Sequence, residues 1–266
     1  MTTILLVGGG RMGGALARGW RQRGIAPESI FVVEPDPASA ARLKTDTGAT
    51  AVAGPDAVKT KPDVVVFAVK PQGLAEIAPA YRSFTDSVFL SIAAGRTLKF
   101  FVEALGPRAA VVRSMPNTPA AVGRGFTVAC PNANVTAAQR ALCQSLLEAV
   151  GEVAWVEDES LLDPVTAVSG SGPAYVFLLT EALAEAGKAA GLPADLAERL
   201  ARATIVGSGE LARLAPESAA ELRRAVTSPG GTTEAALNVL MAPGGLVDLM
   251  TRAVAAATGR SRELAG

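Results

Sequence analysis

The first half of the chain alternates short apolar runs with segments of helical pattern. Val64-Val65-Val66-Phe67 is apolar throughout, as is typical of a strand buried on both faces of a sheet. Such alternation predicts an α/β fold with a doubly wound, largely parallel sheet and right-handed crossovers. The predicted strands are Ile4–Val7, Ile30–Val33, Asp63–Ala68, Ser87–Ser91, Ala109–Arg113, Phe126–Ala129 and Val153–Val156, and the predicted helices lie near 12–23, 37–44, 72–81, 97–105 and 136–150.

The second half of the chain has no strand pattern after about residue 158. Its residues are mainly Ala, Leu, Glu and Arg, which favour helices, and Gly191-Leu-Pro193 is typical of one helix ending and the next beginning. This predicts an all-helical domain over residues 159–266. Because its side chains are small, we hypothesise that it dimerises to bury its apolar surface. The predicted helices are 172–190, 193–214, 217–226, 231–241 and 244–263.

The first predicted strand runs directly into Gly8-x-Gly10-x-x-Gly13, and a helical pattern follows. In a dinucleotide-binding turn, the first glycine allows the tight turn, the second admits the pyrophosphate and the third lets helix and strand pack closely. The phosphates then lie at a helix N-terminus, where free N–H groups and the helix dipole favour negative charge. The motif predicts a Rossmann-type domain over residues 1–158. The alternative is a glycine-rich turn in another α/β fold.

The end of the second predicted strand bears on the choice of dinucleotide. Glu34 is placed to bond the ribose hydroxyls of NAD and to repel the 2′-phosphate of NADP, unless it is an ordinary solvated acid. Arg11, inside the glycine loop, could instead offer a positive charge to that phosphate. The sequence therefore predicts NADPH or NADH as cofactor, with Glu34 favouring NADH.

Composition excludes several classes of protein. The 266 residues include 25 Lys and Arg against 25 Asp and Glu, so no net basic field favours a nucleic-acid partner. With no histidine and only two cysteines, neither a metal site nor a disulfide framework is expected. Met1-Thr2-Thr3 leads directly into the first predicted strand, and the apolar stretches are too short or too interrupted to span a bilayer. We expect a cytoplasmic protein without a membrane partner.

Three further segments follow predicted strands, at the sheet edge where open α/β folds bind ligands. They are Ala68-Val69-Lys70-Pro71, Ser91-Ile-Ala93-Ala94-Gly95 and Arg113-Ser-Met-Pro-Asn117-Thr-Pro119. The small residues of the second would let a nicotinamide ring approach the backbone. The third is either a rigid loop or the source of a polar site group, Asn117.

The helical half contains two segments that helix formation does not require. Val168-Ser-Gly-Ser-Gly-Pro-Ala-Tyr175 places glycines where a helix would start. In Val226-Thr-Ser-Pro-Gly-Gly-Thr-Thr-Glu234, the hydroxyls of Ser228, Thr232 and Thr233 precede or begin a helix, an arrangement suited to binding a carboxylate. Either segment alone could also be a capped turn.

Taken in order, these motifs resemble the pyrroline-5-carboxylate reductase family over nearly the whole chain. The strongest match is Leu222-x-x-x-Val226-Thr-Ser-Pro-Gly-Gly-Thr-Thr-x-x-x-Leu237. The supporting matches are Gly8-x-Gly10-x-Met12, Val69-Lys-Pro71, Met115-Pro-Asn-Thr-Pro119 and Ser169-Gly-Ser-Gly-Pro-Ala-Tyr175. The resemblance implies reduction of 1-pyrroline-5-carboxylate to L-proline and an intertwined homodimer that can form larger rings such as a decamer.

The resemblance also assigns roles by motif. Ser228, Thr232 and Thr233 would bind the substrate carboxylate and approach the imine nitrogen, with Thr233 as the catalytic hydroxyl, and Glu159 matches a position near the substrate. Asp56 matches a position that is commonly an Asn near the adenosine. The residues that would bind the cofactor are Gly8, Gly10, Arg11, Met12, Gly13, Glu34, Asp56, Ala68, Lys70, Pro71, Ala93, Ala94 and Asn117.

Two positions depart from the family pattern. Glu34 replaces a serine that often meets the 2′-phosphate of NADPH, and Ala225 stands where Asp or Asn is frequent. The alternative functions are reduction of a related cyclic imine, a β-hydroxyacid dehydrogenase, and a catalytically idle dinucleotide-binding sensor. The lack of histidine argues against the 2-hydroxyacid dehydrogenases that depend on a histidine acid–base, whereas an imine that is already protonated needs positioning more than a strong acid.

Overall fold

The first part of the chain forms a single eight-stranded sheet. The computed structural model of the protein describes residues 2–265. The order of the strands across the sheet is β3-β2-β1-β4-β5-β6-β7-β8. The strands are β1 Ile4–Val7, β2 Ile30–Val33, β3 Thr50–Val52, β4 Val64–Phe67, β5 Val88–Ser91, β6 Ala110–Met115, β7 Gly125–Pro131 and β8 Gly151–Trp155.

Helices connect the strands and make up the remainder of the chain. They are α1 Arg11–Gln22, α2 Pro37–Thr47, α3 Leu74–Ile77, α4 Leu98–Leu105, α5 Ala137–Glu148, α6 Leu162–Val165, α7 Gly172–Ala189, α8 Ala194–Leu214, α9 Ala219–Ala225, α10 Thr232–Leu240 and α11 Leu246–Ala265. A π-helical turn, Thr166–Gly170, lies between α6 and α7. Among residues 2–265, no helix is long and apolar enough to cross a membrane.

The sheet has the topology of a dinucleotide-binding fold. β1 to β6 are parallel in the order 3-2-1-4-5-6, β7 is antiparallel to β6, and β8 pairs in parallel with β7. The strand order reverses between β1 and β4, which pair from Ile4 with Val64 to Val7 with Phe67. In open sheets, the crevice outside the carboxyl ends of such a strand pair binds ligands. The predicted α/β fold and the helical C-terminal region are confirmed.

Two elements of the sheet region differ from the prediction. The edge strand β3 was missed because it has only three residues, and Thr50 and Ala51 are exposed, so no apolar run marks it. The helix predicted over 72–81 is divided into a 3-10 turn Pro71–Gly73, α3, and a second 3-10 turn Ala78–Tyr81. Pro79 explains the division, since proline lacks the N–H donor and its ring clashes with the preceding turn.

The chain divides into two compact units. The first runs up to Gly170 and includes the residues from Ala257 onward, and the second is Ser171–Ala256. The domain boundary predicted after residue 158 stays a prediction.

Two apolar clusters fill the faces of the sheet in the first unit. On one face of the sheet, alternate strand residues such as Leu6 and Val66 pack with Leu16 and Trp20 of α1. The intervening residues of the same strands point to the other face and belong to the second cluster. That second cluster contains Phe67, whose ring lies 5.4 Å from Tyr81, 6.2 Å from Phe89 and 5.7 Å from Phe101 between centroids. Both faces of the central strands are therefore fixed by packing, which explains their unbroken apolar sequence.

The second unit buries mainly alanine. Ala184, Ala197 and Ala201 are buried, and a Cβ on Gly187 of α7 would lie 3.3 Å from the Cβ of Ala197 on α8, so these two helices approach closely. Large apolar residues of the unit are exposed in the single chain, including Phe177 at 62% and Val239 at 74%. Exposed large apolar side chains of this kind are typical of surfaces that contact other proteins.

Candidate active site

The turn after β1 requires glycine at its first position. Gly8 has a φ of +99°, in the left-handed region that other residues rarely adopt. A Cβ there would lie 2.8 Å from Val69 Cγ1 and 2.9 Å from the carbonyl oxygen of Ala68. The N–H of Gly8 donates to the oxygen of Val33 at 2.9 Å, which ties the turn to the end of β2. The loop is thus closed against the ends of β2 and β4.

The other two glycines of the motif differ in the space around them. A Cβ on Gly13 would lie well under 3.0 Å from the oxygen of Gly8, so only glycine lets α1 pack this closely on the turn. A Cβ on Gly10, in contrast, would meet no heavy atom within 4 Å. The structure therefore has close packing at Gly13 and open space at Gly10, as the motif requires for an approaching pyrophosphate.

The N-terminus of α1 is available to an anion. Gly10 is the N-cap residue, and the first intrahelical bond runs from the N–H of Gly14 to the oxygen of Gly10 at 2.8 Å. The amides of Arg11, Met12 and Gly13 precede that bond, and the first turn contains no acidic side chain. Free amides and the positive end of the helix dipole suit the phosphates of a dinucleotide.

The predicted cofactor-lining residues after β4 and β5 lie at the same edge of the sheet as the glycine turn. The N–H of Ala68 donates to Val7 at 2.8 Å, and the N–H of Ile92 donates to Phe67 at 3.1 Å, so the ends of β1, β4 and β5 are adjacent. Ala93 is buried, Ala94 is half-buried, and Lys70 is exposed directly before Pro71. Small residues and one exposed cation, Lys70, therefore lie beside the glycine turn.

Arg96 at this edge was missed by the sequence analysis. Its Nε donates to the oxygen of Pro71 at 3.0 Å, and its guanidinium lies 4.8 Å from the centroid of the Phe100 ring. The side chain thus joins the loops that follow β4 and β5. A basic residue directly after Ala93-Ala94-Gly95 was the available signal.

Glu34 lies at the end of β2 and reaches the glycine turn. Its Oε2 accepts from the N–H of Gly9 at 2.6 Å, and its Oε1 accepts from the N–H of Asp36 at 2.9 Å. Asp56, the other predicted adenosine-side residue, is exposed in the 3-10 turn Pro55–Ala57 beyond β3. Both acids lie on the β2 and β3 side of the turn, and their contact with the adenosine stays a prediction.

The structure joins two segments that the sequence analysis treated separately. Asn117 Nδ2 donates to the Oγ of Ser169 at 3.1 Å, and Asn117 Oδ1 accepts from the N–H of Phe126 at 2.9 Å. Ser169 belongs to the π-helical turn, an element that is frequent at functional sites. The Asn117 amide therefore holds a loop in place. A direct contact of Asn117 with the cofactor stays a prediction.

Glu159 forms a partly buried ion pair. Its Oε1 accepts from Arg113 Nη1 at 2.8 Å and from the N–H of Leu98 at 2.8 Å. The side chain of Arg113 is 6% exposed and that of Glu159 is 29% exposed. Arg113 was not predicted as a site residue, although an arginine inside an apolar strand was a visible signal.

Cys130 on β7 pairs in register with Arg113 on β6. Burial raises the pKa of the Cys130 thiol to about 11, with the negative charges of Glu159 and Glu157 acting in the same direction and Arg113 opposing them. The thiol is therefore protonated near neutral pH and is not a nucleophile.

The hydroxyls predicted to bind the substrate lie together in the second unit. Ser228 and Thr232 are exposed and Thr233 is half-buried, at the N-terminus of α10, where Gly231 is the N-cap residue. The N–H of Gly231 donates to the oxygen of Ser228 at 3.0 Å, which closes the turn. The carboxylate of Glu234 accepts from the N–H of Gly230 at 2.7 Å, a contact that was not predicted.

A Rossmann-type sheet, a glycine turn at the strand reversal and a helix N-terminus without acidic side chains define a dinucleotide-binding protein. The chain is 40% identical over 266 residues to the pyrroline-5-carboxylate reductase of Pseudomonas aeruginosa, covering 98% of this chain and 96% of that protein. The chain belongs to the pyrroline-5-carboxylate reductase family.

Family models and solved structures agree with this membership. The model for pyrroline-5-carboxylate reductase dimerisation matches residues 159–264, and the model for coenzyme F420-dependent NADP oxidoreductase matches residues 3–95. The reductase structure from Coxiella burnetii superposes with a TM-score of 0.94 at 35% identity, covering 100% of this chain and 99% of that one. The Plasmodium falciparum enzyme, solved with NADP bound, gives 0.84 at 29% identity, with 100% and 98% covered.

Alanine substitutions at Gly13 and Gly10 separate packing from ligand access. We expect Gly13→Ala to lower the free energy of unfolding by about 1–3 kcal/mol, because its Cβ overlaps the oxygen of Gly8. Gly10→Ala should leave stability unchanged and weaken dinucleotide binding, because its Cβ occupies the space left for the ligand. Urea unfolding and fluorescence titration with NADH would measure the two effects. A Gly13→Ala protein as stable as the wild type would contradict the packing described here.

Glu159→Gln tests the ion pair with Arg113. The substitution leaves a buried guanidinium without its counter-charge, and we expect a loss of about 3 kcal/mol in the free energy of unfolding. The control is Glu157→Gln, since Glu157 pairs with Arg140 at 2.8 Å and its side chain is 73% exposed. That exposed pair should contribute less than about 1 kcal/mol. Equal losses in the two variants, measured by urea unfolding at one protein concentration, would show that Arg113 does not depend on Glu159.

Proposed function

We propose that the predicted cofactor- and substrate-binding residues described above carry out the last step in forming proline. As a member of its family, the chain is an NAD(P)H-dependent oxidoreductase that reduces 1-pyrroline-5-carboxylate to L-proline. The observation that supports this function most directly is the glycine turn. Its open space at Gly10 and free amides at the start of α1 lie where the strand order reverses between β1 and β4.

The cofactor is assigned to the crevice of the first unit. Amides of the turn from Gly8 to Gly13 hold the pyrophosphate, with the side chain of Arg11 beside it. Glu34 and Asp56 lie on the adenosine side, and the small residues Ala68, Ala93 and Ala94 line the nicotinamide side. Lys70 and Pro71 complete the wall after β4, and Asn117 holds the loop that follows β6.

The substrate is assigned to the hydroxyls at the start of α10. Ser228 and Thr232 donate to the substrate carboxylate, since exposed hydroxyls at a helix N-terminus favour an anion. A bound nicotinamide would supply a hydride from C4 to the imine carbon of 1-pyrroline-5-carboxylate. Thr233 hydrogen-bonds the ring nitrogen as its positive charge is lost, so positioning rather than strong acid catalysis lowers the barrier.

Glu159 has a more limited role in this scheme. Because its Oε1 already accepts from Arg113 and Leu98, any contact with the substrate falls to Oε2. We assign it first to positioning the segment after β8, with a substrate contact as its second role.

The helical domain, residues 159–266, is assigned to homodimer formation. The exposed apolar side chains of the second unit, Phe177 and Val239 among them, support this assignment. We further propose that dimers assemble into a decamer and that the enzyme works in the cytoplasm.

Thr233→Ala tests the catalytic assignment. We expect turnover to fall roughly ten- to a hundredfold with cofactor affinity unchanged, because one positioned hydrogen-bond partner of the ring nitrogen is lost. Thr233→Ser should restore much of the activity. The matched control is Thr45→Ala in α2, where the exposed hydroxyl donates only to the oxygen of Ala41 at 3.0 Å. Unchanged kcat in Thr233→Ala, measured at 340 nm with proline quantified, would remove Thr233 from the mechanism.

A further inference from the structure

Two carboxylates occupy the backbone donors beside the adenosine side of the glycine turn. Glu34 accepts from the N–H of Gly9 at 2.6 Å and from that of Asp36 at 2.9 Å. Asp36 is the N-cap residue of α2, and its Oδ2 accepts from the N–H of Ser39 at 2.9 Å. Acidic oxygens of the chain itself therefore hold the amides of Gly9, Asp36 and Ser39.

These amides are the groups that a phosphate monoester would use. Phosphate oxygens bind to successive backbone N–H groups and to the N-terminus of a helix. The helix that follows the carboxyl end of β2 is α2, and Asp36 already caps its N-terminus. A 2′-phosphate on the adenosine would have to displace carboxylates from these donors.

The negative charge of these carboxylates also disfavours binding of a 2′-phosphate. Hydrogen bonds from the side chain and backbone of Ser39 lower the pKa of Asp36 below its ordinary value, so this carboxyl is ionised at neutral pH. A phosphate monoester carries a charge of about −1.5 to −2 near pH 7, so it would meet like charges. Each Glu34 oxygen has a further lone pair, which can accept from a free ribose hydroxyl.

We propose that Glu34 and Asp36 together make this chain selective for NADH over NADPH, with Asp36 as a second specificity-determining residue. The proposal rests on the function assigned above and specifies the cofactor of that site. Glu34 binds the ribose hydroxyls and Asp36 repels the 2′-phosphate while it caps α2.

Two arginines near these acids do not shift the preference from NADH to NADPH. Arg11 begins α1 and Arg42 follows Asp36 on α2, and both are exposed. Solvent screens the charge of exposed side chains, Asp36 included, but the Asp36 carboxylate is fixed by the N–H of Ser39 at 2.9 Å, whereas the long arginine side chains can turn away. Glu34, in contrast, is half-buried and is fixed by two hydrogen bonds to the backbone, so its charge is held at the site.

The test compares dissociation constants for NADH and NADPH by fluorescence titration of the full-length protein without substrate. We expect the wild type to bind NADH at least about tenfold more tightly than NADPH. Glu34→Ser, or Glu34→Gln if stability suffers, should shift the ratio toward NADPH by about tenfold or more. Asp36→Ser keeps a good N-cap and should strengthen NADPH binding severalfold with little change for NADH.

Asp46→Asn is the matched control. It makes the same change of charge at the other end of α2, where Asp46 pairs with Arg18 at 3.3 Å, and the ratio should not move. Tighter binding of NADPH than NADH by the wild type would overturn the proposal and leave the proposed function standing, as would a ratio unaffected by both the Glu34 and the Asp36 variants. Binding of neither dinucleotide would overturn both.

Discussion

The close approach of α1 to the turn after β1 is the constraint on which the site depends. Gly13 has no room for a Cβ beside the oxygen of Gly8, and Gly8 has none beside Ala68 and Val69. These contacts fix the start of α1 against the ends of β1 and β4, so the free amides of the helix point to one place. The apolar faces of the central strands keep that edge rigid, because both are packed by buried clusters. A polar ligand site is thus held in place by clusters made mainly of apolar side chains.

The charges along this edge of the sheet differ from one part to the next, and so do the ligand groups that each part favours. The N-terminus of α1 has no acidic side chain in its first turn and favours a pyrophosphate, whereas the neighbouring end of β2 has Glu34 and Asp36. Farther along the sheet, Arg96 and the pair of Arg113 with Glu159 connect loops and strands rather than offering free charge. We therefore attribute the choice between NADH and NADPH to Glu34 and Asp36.

Much of the fold and part of the site could be predicted from the sequence, for physical reasons that the residues make plain. A strand buried on both faces needs an unbroken apolar run, which is why β4 was predicted and the exposed β3 was not. The glycine motif predicted the turn after β1 because the spacing of its glycines follows from the local backbone geometry of that turn. The bonds from Gly9 to Glu34 and from Arg113 to Glu159 span 25 and 46 residues, and no local pattern encodes such pairings. The hydroxyls near α10 were predicted from their place at the start of a helix, and the family motif then assigned a role to each.

The proposed reaction transfers a hydride from NADH to the imine carbon, and isotope labelling can follow that hydride into the product. The purified protein would be given 1-pyrroline-5-carboxylate and NADH carrying deuterium at both C4 positions, and the product would be analysed by mass spectrometry and NMR. We expect L-proline with one deuterium, located at ring carbon C5. Proline labelled at another carbon, or oxidation of NADH without proline, would contradict the account.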